Sequence, residues 1–256
     1  MLINNFHRIN IFQLGVGGTG SWLVYPMCKF LRNLMSRYAI ARGLDINYIM
    51  VDDDIVEERN ILRQNFELWD IGRSKINSTI RKYCAVFPII GFKYRPKTKT
   101  SFDNLFYGPM IEGISANHAI TFVFGCTDDN KARRGLFNYF KKHRWFDYPV
   151  VYFDSGNDLY HGQIVTTIFG IQKEESITCF KNQNRFNQPK FLKLFPLKVQ
   201  EGETDQSCAF FGDQSQGINL QASNLLFLNF QQALIHSQLP PPIIRFNSAG
   251  SSYFEF

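Results

Sequence analysis

Long hydrophobic runs are missing from this chain: no stretch approaches the ~18 consecutive apolar residues that a membrane-spanning helix needs. Cysteine is scarce and odd in number. Cys28, Cys84, Cys126, Cys179 and Cys208 fall at irregular spacings, which excludes a disulfide-stapled scaffold and points to a reducing, cytoplasmic setting. No Cys-x-x-Cys pair occurs, so no structural zinc is expected. Met1 to Asn10 lack a basic cap followed by an apolar stretch, so no signal peptide is expected there. The chain also has no block of consecutive Lys or Arg. Its densest basic stretch, Lys131, Arg133, Arg134, Lys141, Lys142 and Arg144, is spaced as on a solvated helix face, so neither nucleic acid nor a membrane is an expected partner. The histidines are scattered without metal-ligand spacing, and His161 reads as a loop residue.

What remains is the composition of a folded protein. The 256 residues are 45% hydrophobic and 16% aromatic, enough for a sizeable core in one domain. The net charge of +6 suits an anionic partner. The first half alternates strand and helix signals. Strands are predicted at Arg8 to Leu14, Asn47 to Val51, Gly91 to Arg95 (weakly), Ile120 to Phe124 and Val150 to Phe153. Helices are predicted at Thr19 to Arg42, with Pro26 marking a kink or early turn, at Ser74 to Phe87 and at Asn130 to His143. Such alternation means βαβ units and a parallel, doubly wound α/β sheet. Beyond about residue 160 the pattern changes. Gln163 to Ile171 reads as a strand, antiparallel to the others, and Lys173 to Ser207 is long and polar. Gly217 to Gln238 is helical, and Ile243 to Phe246 with Ser252 to Phe256 suggest a closing hairpin. No internal repeat or linker is present.

Gly15-Val16-Gly17-Gly18-Thr19-Gly20 lies between the first strand and the first helix. Glycines there let the chain turn tightly and bring backbone N–H groups close to phosphates at a helix start. An acid ending the second strand would bond ribose hydroxyls, and Asp52 occupies that place. It lies 32 residues beyond Gly20, against about 20 in the usual dinucleotide pattern, so the first helix is lengthened. Immediately after Asp52-Asp53-Asp54 come Asn60, Arg63, Gln64 and, past Gly72-Arg73-Ser74, Lys75. A dinucleotide fold has no need of those cations in one short segment, whereas a triphosphate does.

These segments, GVGGTGS (15–21), DDDIVEERNILRQNF (52–66), GRSK (72–75) and CTDDNKARR (126–134), occur in an order that resembles the ThiF/MoeB/ubiquitin-activating superfamily. The details are most similar to the ThiF-like proteins of bacterial plasmid PRTRC systems. The resemblance covers roughly residues 9–165 well and the rest loosely. It implies a Rossmann-like, doubly wound mixed sheet with a C-terminal crossover loop, helix and short strands. It also implies one adenylation domain spanning 1–256, with a nucleotide-binding core at 1–165 and the crossover loop and C-terminal elements at 166–256. The implied activity is adenylation of the C-terminal glycine of a ubiquitin-like or sulfur-carrier protein, using ATP and Mg²⁺ and releasing pyrophosphate. Carried over by motif, Gly15, Gly17, Gly18 and Gly20 match the nucleotide loop and Asp52 the ribose acid, with Asp54 beside it. Asn60, Arg63 and Gln64 match the phosphate-contacting run, and Lys75 matches the lysine that reaches the phosphates. Asp128 matches the magnesium ligand, with Asp129 its competitor. One of the two could instead cap the helix that follows.

Asp154, in Phe153-Asp154-Ser155-Gly156, is a second-rank site candidate that reads equally as a turn former. Cys208 sits where some relatives carry a thioester-forming cysteine, and segment 173–216 would be the crossover loop that clamps the partner's tail. Cys28, Cys84 and Cys126 read as core residues. Homodimeric relatives reach the partner's ATP with an N-terminal arginine. Here Arg8 falls within or against the first strand, so a homodimer is expected with that arginine missing or supplied differently. Two other readings stand beside this one: adenylation of a peptide, small carboxylate or modified tRNA base, and a non-catalytic nucleotide-binding partner subunit.

Overall fold

The first strand, β1 (Arg8–Leu14), shows how the chain divides its apolar residues. Successive side chains on a strand point to opposite faces, and Ile9 and Ile11 enter one buried cluster while Phe12 and Leu14 enter another. A strand buried on both faces belongs at the centre of a covered sheet. The computed structural model describes residues 6–39, 43–106, 119–142, 150–169, 180 and 215–255. Within them β1 is followed by α1 (Gly18–Leu34), β2 (Asp45–Val51), α2 (Lys75–Tyr83), β3 (Ile90–Phe92), α3 (Lys99–Phe106), β4 (Ile120–Gly125), α4 (Asn130–Lys142), β5 (Val150–Asn157), β6 (His161–Phe169), α5 (Gln216–His236), β7 (Ile243–Asn247) and β8 (Ser252–Glu255). The strands form one sheet in the order β3-β2-β1-β4-β5-β6-β7-β8. The pairs from β3 to β5 are parallel and those from β5 to β8 antiparallel. The architecture is therefore a doubly wound mixed α/β sheet.

On one face α1, α2 and α5 cover β1 and β4. Phe30 of α1 meets Phe227 and Phe230 of α5 edge-on, with ring centroids 5.7 and 5.9 Å apart, and Phe230 meets Phe122 of β4 at 4.9 Å. On the other face α3 and α4 carry Phe102, Leu105, Phe106, Leu136, Phe137 and Phe140 into the core. Phe106 packs on Phe12 at 4.7 Å and Phe140 on Phe169 at 5.4 Å.

Several element boundaries differ from the sequence reading. α1 begins one residue earlier, at Gly18, and passes through Pro26 to Leu34 before loosening into a π-type turn, Met35–Ala39. Pro26 thus lies inside the helix and does not end it. β5 runs on to Asn157, so Asp154 lies within a strand and the turn reading fails. α3 was not predicted. Its signal is a short one: Ser101 Oγ accepts from the Lys97 and Thr98 N–H groups at 2.9 Å each, and Phe102, Leu105 and Phe106 recur at helical spacing.

α5 ends at Ser237, which has φ 54°. A side chain is disfavoured in that left-handed region. Ser237→Gly is expected to raise stability by about 0.5–1 kcal/mol, measurable as a higher denaturation midpoint with unchanged slope.

Candidate functional site

The parallel half of the sheet brings four strand ends together, those of β1 to β4. Gly15 N–H donates to Val51 O at 2.9 Å, Cys126 N–H to Leu14 O at 2.8 Å and Asp52 N–H to Phe92 O at 3.1 Å. β1 lies between β2 and β4, and the chain leaves it toward β2 first and returns later to β4. That reversal opens a crevice beyond the carboxyl ends of the strands, where sheets of this kind bind ligands. Residues 15–20, 52–54 and 126–129 border it.

The glycine loop is shaped from below by Gln13, a buried polar residue of β1. Its Nε2 donates to Gly15 O at 3.0 Å and Gly20 O at 2.9 Å, and its Oε1 accepts from Tyr48 Oη. Gly15 has φ +99°, and a Cβ there would lie 2.5 Å from Cys126 O. A Cβ on Gly20 would lie 2.2 Å from Gly15 O. Gly17 is different: it caps α1 with no side-chain cap bond, and the nearest atom to a Cβ would be Gln64 Nε2 at 4.0 Å. Gly18 opens the helix and its carbonyl accepts from Ser21 Oγ at 3.1 Å. A helix start without a side-chain cap and with space before it can receive an anion.

The acids form the opposite wall. Asp52 is buried, accepting Val16 N–H at 2.6 Å on Oδ2 and Asp54 N–H at 2.8 Å on Oδ1. Burial pushes its carboxyl up, opposed by the Lys75 charge and those two N–H groups. Asp53 and Asp54 are exposed, and carboxylate oxygens of all three lie within 4.8 Å of one another. Lys75, buried at the start of α2, reaches Asp54 Oδ2 at 3.0 Å. A second cation, unseen in the sequence reading, completes the wall. Arg95 Nε meets Asp53 Oδ1 at 2.9 Å and Arg95 Nη2 meets Asp54 Oδ1 at 3.1 Å. Burial lowers the Arg95 pKa, but Asp53 and Asp54, then Asp52 and Asp128, outweigh it and raise the net value.

The segment between acids and α2 is folded by local caps. Asn60 is buried and its Oδ1 accepts Glu57 N–H at 2.8 Å, closing a single 3-10 turn, Glu58–Asn60. Asn65 N–H donates to Ser21 Oγ at 2.9 Å, and Trp22 Nε1 and Asn219 Nδ2 donate to Arg63 O at 3.1 and 3.2 Å. These bonds lay residues 63–65 along the start of α1. Arg63 Nε and Gln64 Oε1 are buried there and have no hydrogen-bond partner among the described residues. Leaving such groups unmade costs ~1–3 kcal/mol each, so an unpaired donor and acceptor beside an open helix start fit a polar ligand.

Asp70 anchors the same segment. It is fully buried, accepts Glu67 N–H at 2.9 Å and pairs with Arg81 at 2.6 Å and Lys82 at 3.0 Å. Burial works to raise its pKa, but the Glu67 N–H and Lys82 outweigh it and hold the carboxyl below the ordinary range. A depressed folded pKa adds stability that is complete above the unfolded pKa and is lost as pH falls through the folded value. Asp70→Asn is therefore expected to cost about 3 kcal/mol near neutrality, a melting shift of roughly 6–12 °C. The gap between variant and wild type should close in acid, which a pH series of thermal melts measures.

After β4 the two neighbouring acids divide their roles. Asp129 Oδ1 accepts Lys131 N–H at 2.8 Å and Ala132 N–H at 3.2 Å, capping α4. Asp128 is exposed and close enough to Arg95 to raise its pKa. Asp154 is 1% exposed and sits in an internal network. It accepts from Tyr152 Oη at 2.6 Å and pairs with Arg133 at 3.6 Å, while Arg133 Nη2 donates to Ser155 O at 2.6 Å. Asp154 thus braces α4 against β5.

Burial pushes the Cys28 and Cys126 thiols up to about 12, so neither is a thiolate near neutral pH. Cys84, read as core, is exposed because it follows the last helical residue of α2 at a surface turn. Cys179, Cys208 and segment 173–216, apart from Phe180, Ser215 and Gln216, lie outside the described residues. No helix among those residues is long and apolar enough to cross a membrane.

Sequence and structure comparisons agree on the type of fold. The sequence profile of the ThiF family matches residues 3–215. No curated protein sequence matches the chain. Among solved structures, PaaA superposes with a TM-score of 0.57 at 16% identity, over 99% of this chain and 73% of PaaA. E. coli MccB with ATP superposes with a TM-score of 0.59 at 14% identity, over 99% of this chain and 65% of MccB. MccB with AMPCPP and MccA gives 0.58 at 14% identity, over 99% and 64%. The chain thus spans less than two thirds of MccB.

Proposed function

The chain belongs to the ThiF family, and on that premise we propose that it is an ATP-dependent adenylyltransferase whose acceptor is the C-terminal glycine carboxylate of a ubiquitin-like or sulfur-carrier protein. One observation carries the nucleotide part of this reading: Arg63 Nε and Gln64 Oε1, buried and without a hydrogen-bond partner among the described residues, belong to the segment bonded to the first turn of α1, with Lys75 and the Asp52–Asp54 wall at the neighbouring strand end. Solved structures of MccB with ATP, and with AMPCPP and MccA, lend the fold a precedent for holding a nucleotide and, beside it, a second molecule.

An acceptor carboxylate and an α-phosphate are both negative, so the protein's task is charge neutralisation and in-line alignment. In the proposed reaction a carboxylate oxygen bonds to the α-phosphorus, and the bond from that phosphorus to the bridging β-oxygen breaks. Pyrophosphate leaves with that electron pair, and no proton transfer is needed. Gly15–Gly20 and the start of α1 receive phosphate oxygens. Asp52 holds the ribose and Arg63, Gln64 and Lys75 neutralise the triphosphate, with Asn60 shaping the turn that presents them. Mg²⁺, a hard ion suited to carboxylate and phosphate oxygens, would be held by Asp128, the exposed member of its pair. Asp54 keeps Lys75 in place and Asp129 fixes the loop through its cap. Segment 173–216 serves as the crossover loop, Cys208 is the candidate for a subsequent thioester, and the active form is a homodimer. Residues 1–256 form one domain.

The test is ATP–pyrophosphate exchange with a purified ubiquitin-like protein ending in glycine, the gene for which is sought beside this one. Label is expected to enter ATP only when that carboxylate is free, and amidating the terminal glycine should abolish it. Exchange with short free peptides and none with the protein would move the acceptor to the peptide class. Absence of exchange with either would reject the activity.

A further inference from the structure

The cation that the sequence did not reveal sits at a telling place. Arg95 follows β3, whose last residue, Phe92, accepts the Asp52 N–H at 3.1 Å. Its backbone is restricted by the following Pro96, which is buried. The loop beyond is knotted to α3 through Ser101 Oγ, which accepts the Lys97 and Thr98 N–H groups at 2.9 Å each. A long, flexible side chain is thus delivered from a fixed root to the rim of the crevice. Its guanidinium spreads over two carboxylates, Nε on Asp53 and Nη2 on Asp54, and does not close a two-pronged fork on either. Asp52 and Asp128 act on it as well, so it faces acids from both β2 and β4.

A triphosphate cannot approach this wall unaided, because Asp52, Asp53, Asp54 and Asp128 all border its path. We propose that Arg95 is a polyphosphate-binding residue, held by Asp53 and Asp54 in the free protein and transferred to the nucleotide's β- and γ-phosphates on binding. This inference rests on the nucleotide reading above. Its chemistry is an ion exchange. Lys75 stays on Asp54 and Asp53 is open to solvent, so the guanidinium can leave both carboxylates for phosphate oxygens that match its fork better. No covalent bond changes. Lys75, buried and tied to Asp54 at 3.0 Å, remains in place through the exchange, so the site has one fixed and one movable cation.

The experiment compares fluorescent N-methylanthraniloyl derivatives of ATP, ADP and AMP, each titrated with excess Mg²⁺ onto wild type, Arg95→Ala and Arg95→Lys. In Arg95→Ala, affinity for ATP is expected to fall about 10–100-fold. ADP should lose less and AMP should change less than about twofold. Arg95→Lys should recover part of the ATP loss, since it keeps the charge without the fork. Equal weakening of all three nucleotides would make Arg95 a wall brace only and overturn the inference. Unchanged or tighter ATP binding in Arg95→Ala, with wild-type binding intact, would overturn this inference alone. A wild-type chain that bound none of the three would overturn the nucleotide reading and this inference together.

Discussion

Lys75→Met is expected to lower ATP–pyrophosphate exchange by about 10³-fold or more while leaving the protein folded. Lys75 is 6% exposed and its ammonium reaches the acidic wall at Asp54. Buried in this way, the charge is poorly screened by water and acts strongly on phosphate oxygens nearby. Methionine keeps the length and most of the volume, so α2 should retain its packing. Asp54 is half-exposed and keeps Arg95 as a partner, but buried Asp52 loses the charge that opposes its burial penalty, so losing Lys75 should cost about 1–3 kcal/mol. Activity and stability therefore separate: exchange collapses, and the melting temperature falls by only about 2–12 °C. Exchange within tenfold of wild type would remove Lys75 from the chemistry.

The second large effect is structural and comes from contrasting glycines. Gly15→Ala places a Cβ 2.5 Å from Cys126 O at a residue with φ +99°. The obstructing atom is backbone, held by the Cys126 N–H bond to Leu14 O at 2.8 Å, so it cannot rotate away. Left-handed strain costs ~1–3 kcal/mol and overpacking a further ~1–3 kcal/mol, for a melting shift of roughly 4–24 °C. Gly20→Ala, aimed at Gly15 O from 2.2 Å, should behave alike. Gly17→Ala should not. Its nearest neighbour would be Gln64 Nε2 at 4.0 Å and its φ is −84°, so the variant should melt like wild type yet bind nucleotide more weakly, because a methyl group fills space before the helix start. Three melts and three nucleotide titrations check the set. Equal stability of Gly15→Ala and Gly17→Ala would contradict the packing described.

The doubly wound half, α3 apart, was legible because each buried strand is a short apolar run, and each longer helix repeats its apolar residues at three- and four-residue steps. Ile120 to Phe124 could be little else. The change to antiparallel pairing after residue 160 was legible too, since βαβ alternation stops there. Partnerships across the chain were not. Nothing local in Lys93 to Lys97 marks Arg95 as a neighbour of Asp53, because that contact depends on β3 lying beside β2. Asp70 goes unremarked in the sequence because its role depends on α2 bringing Arg81 and Lys82 back to it. Gln13 likewise goes unremarked, since its purpose appears only when Gly15 and Gly20 fold over it. Asp154 reads as a turn former because Asp-Ser-Gly commonly is one. Here Tyr152 and Arg133 satisfy the carboxylate inside a strand. The adjacent Asp128 and Asp129 could not be ranked from spacing, since the cap that occupies Asp129 depends on where α4 begins.

The most direct test is a crystal structure of the chain with Mg²⁺ and a non-hydrolysable ATP analogue. The phosphates should lie before the start of α1, within hydrogen-bonding reach of Arg63 and Lys75, with the metal on Asp128. A nucleotide bound at any other surface, or phosphates turned away from Arg63 and Lys75, would contradict the account.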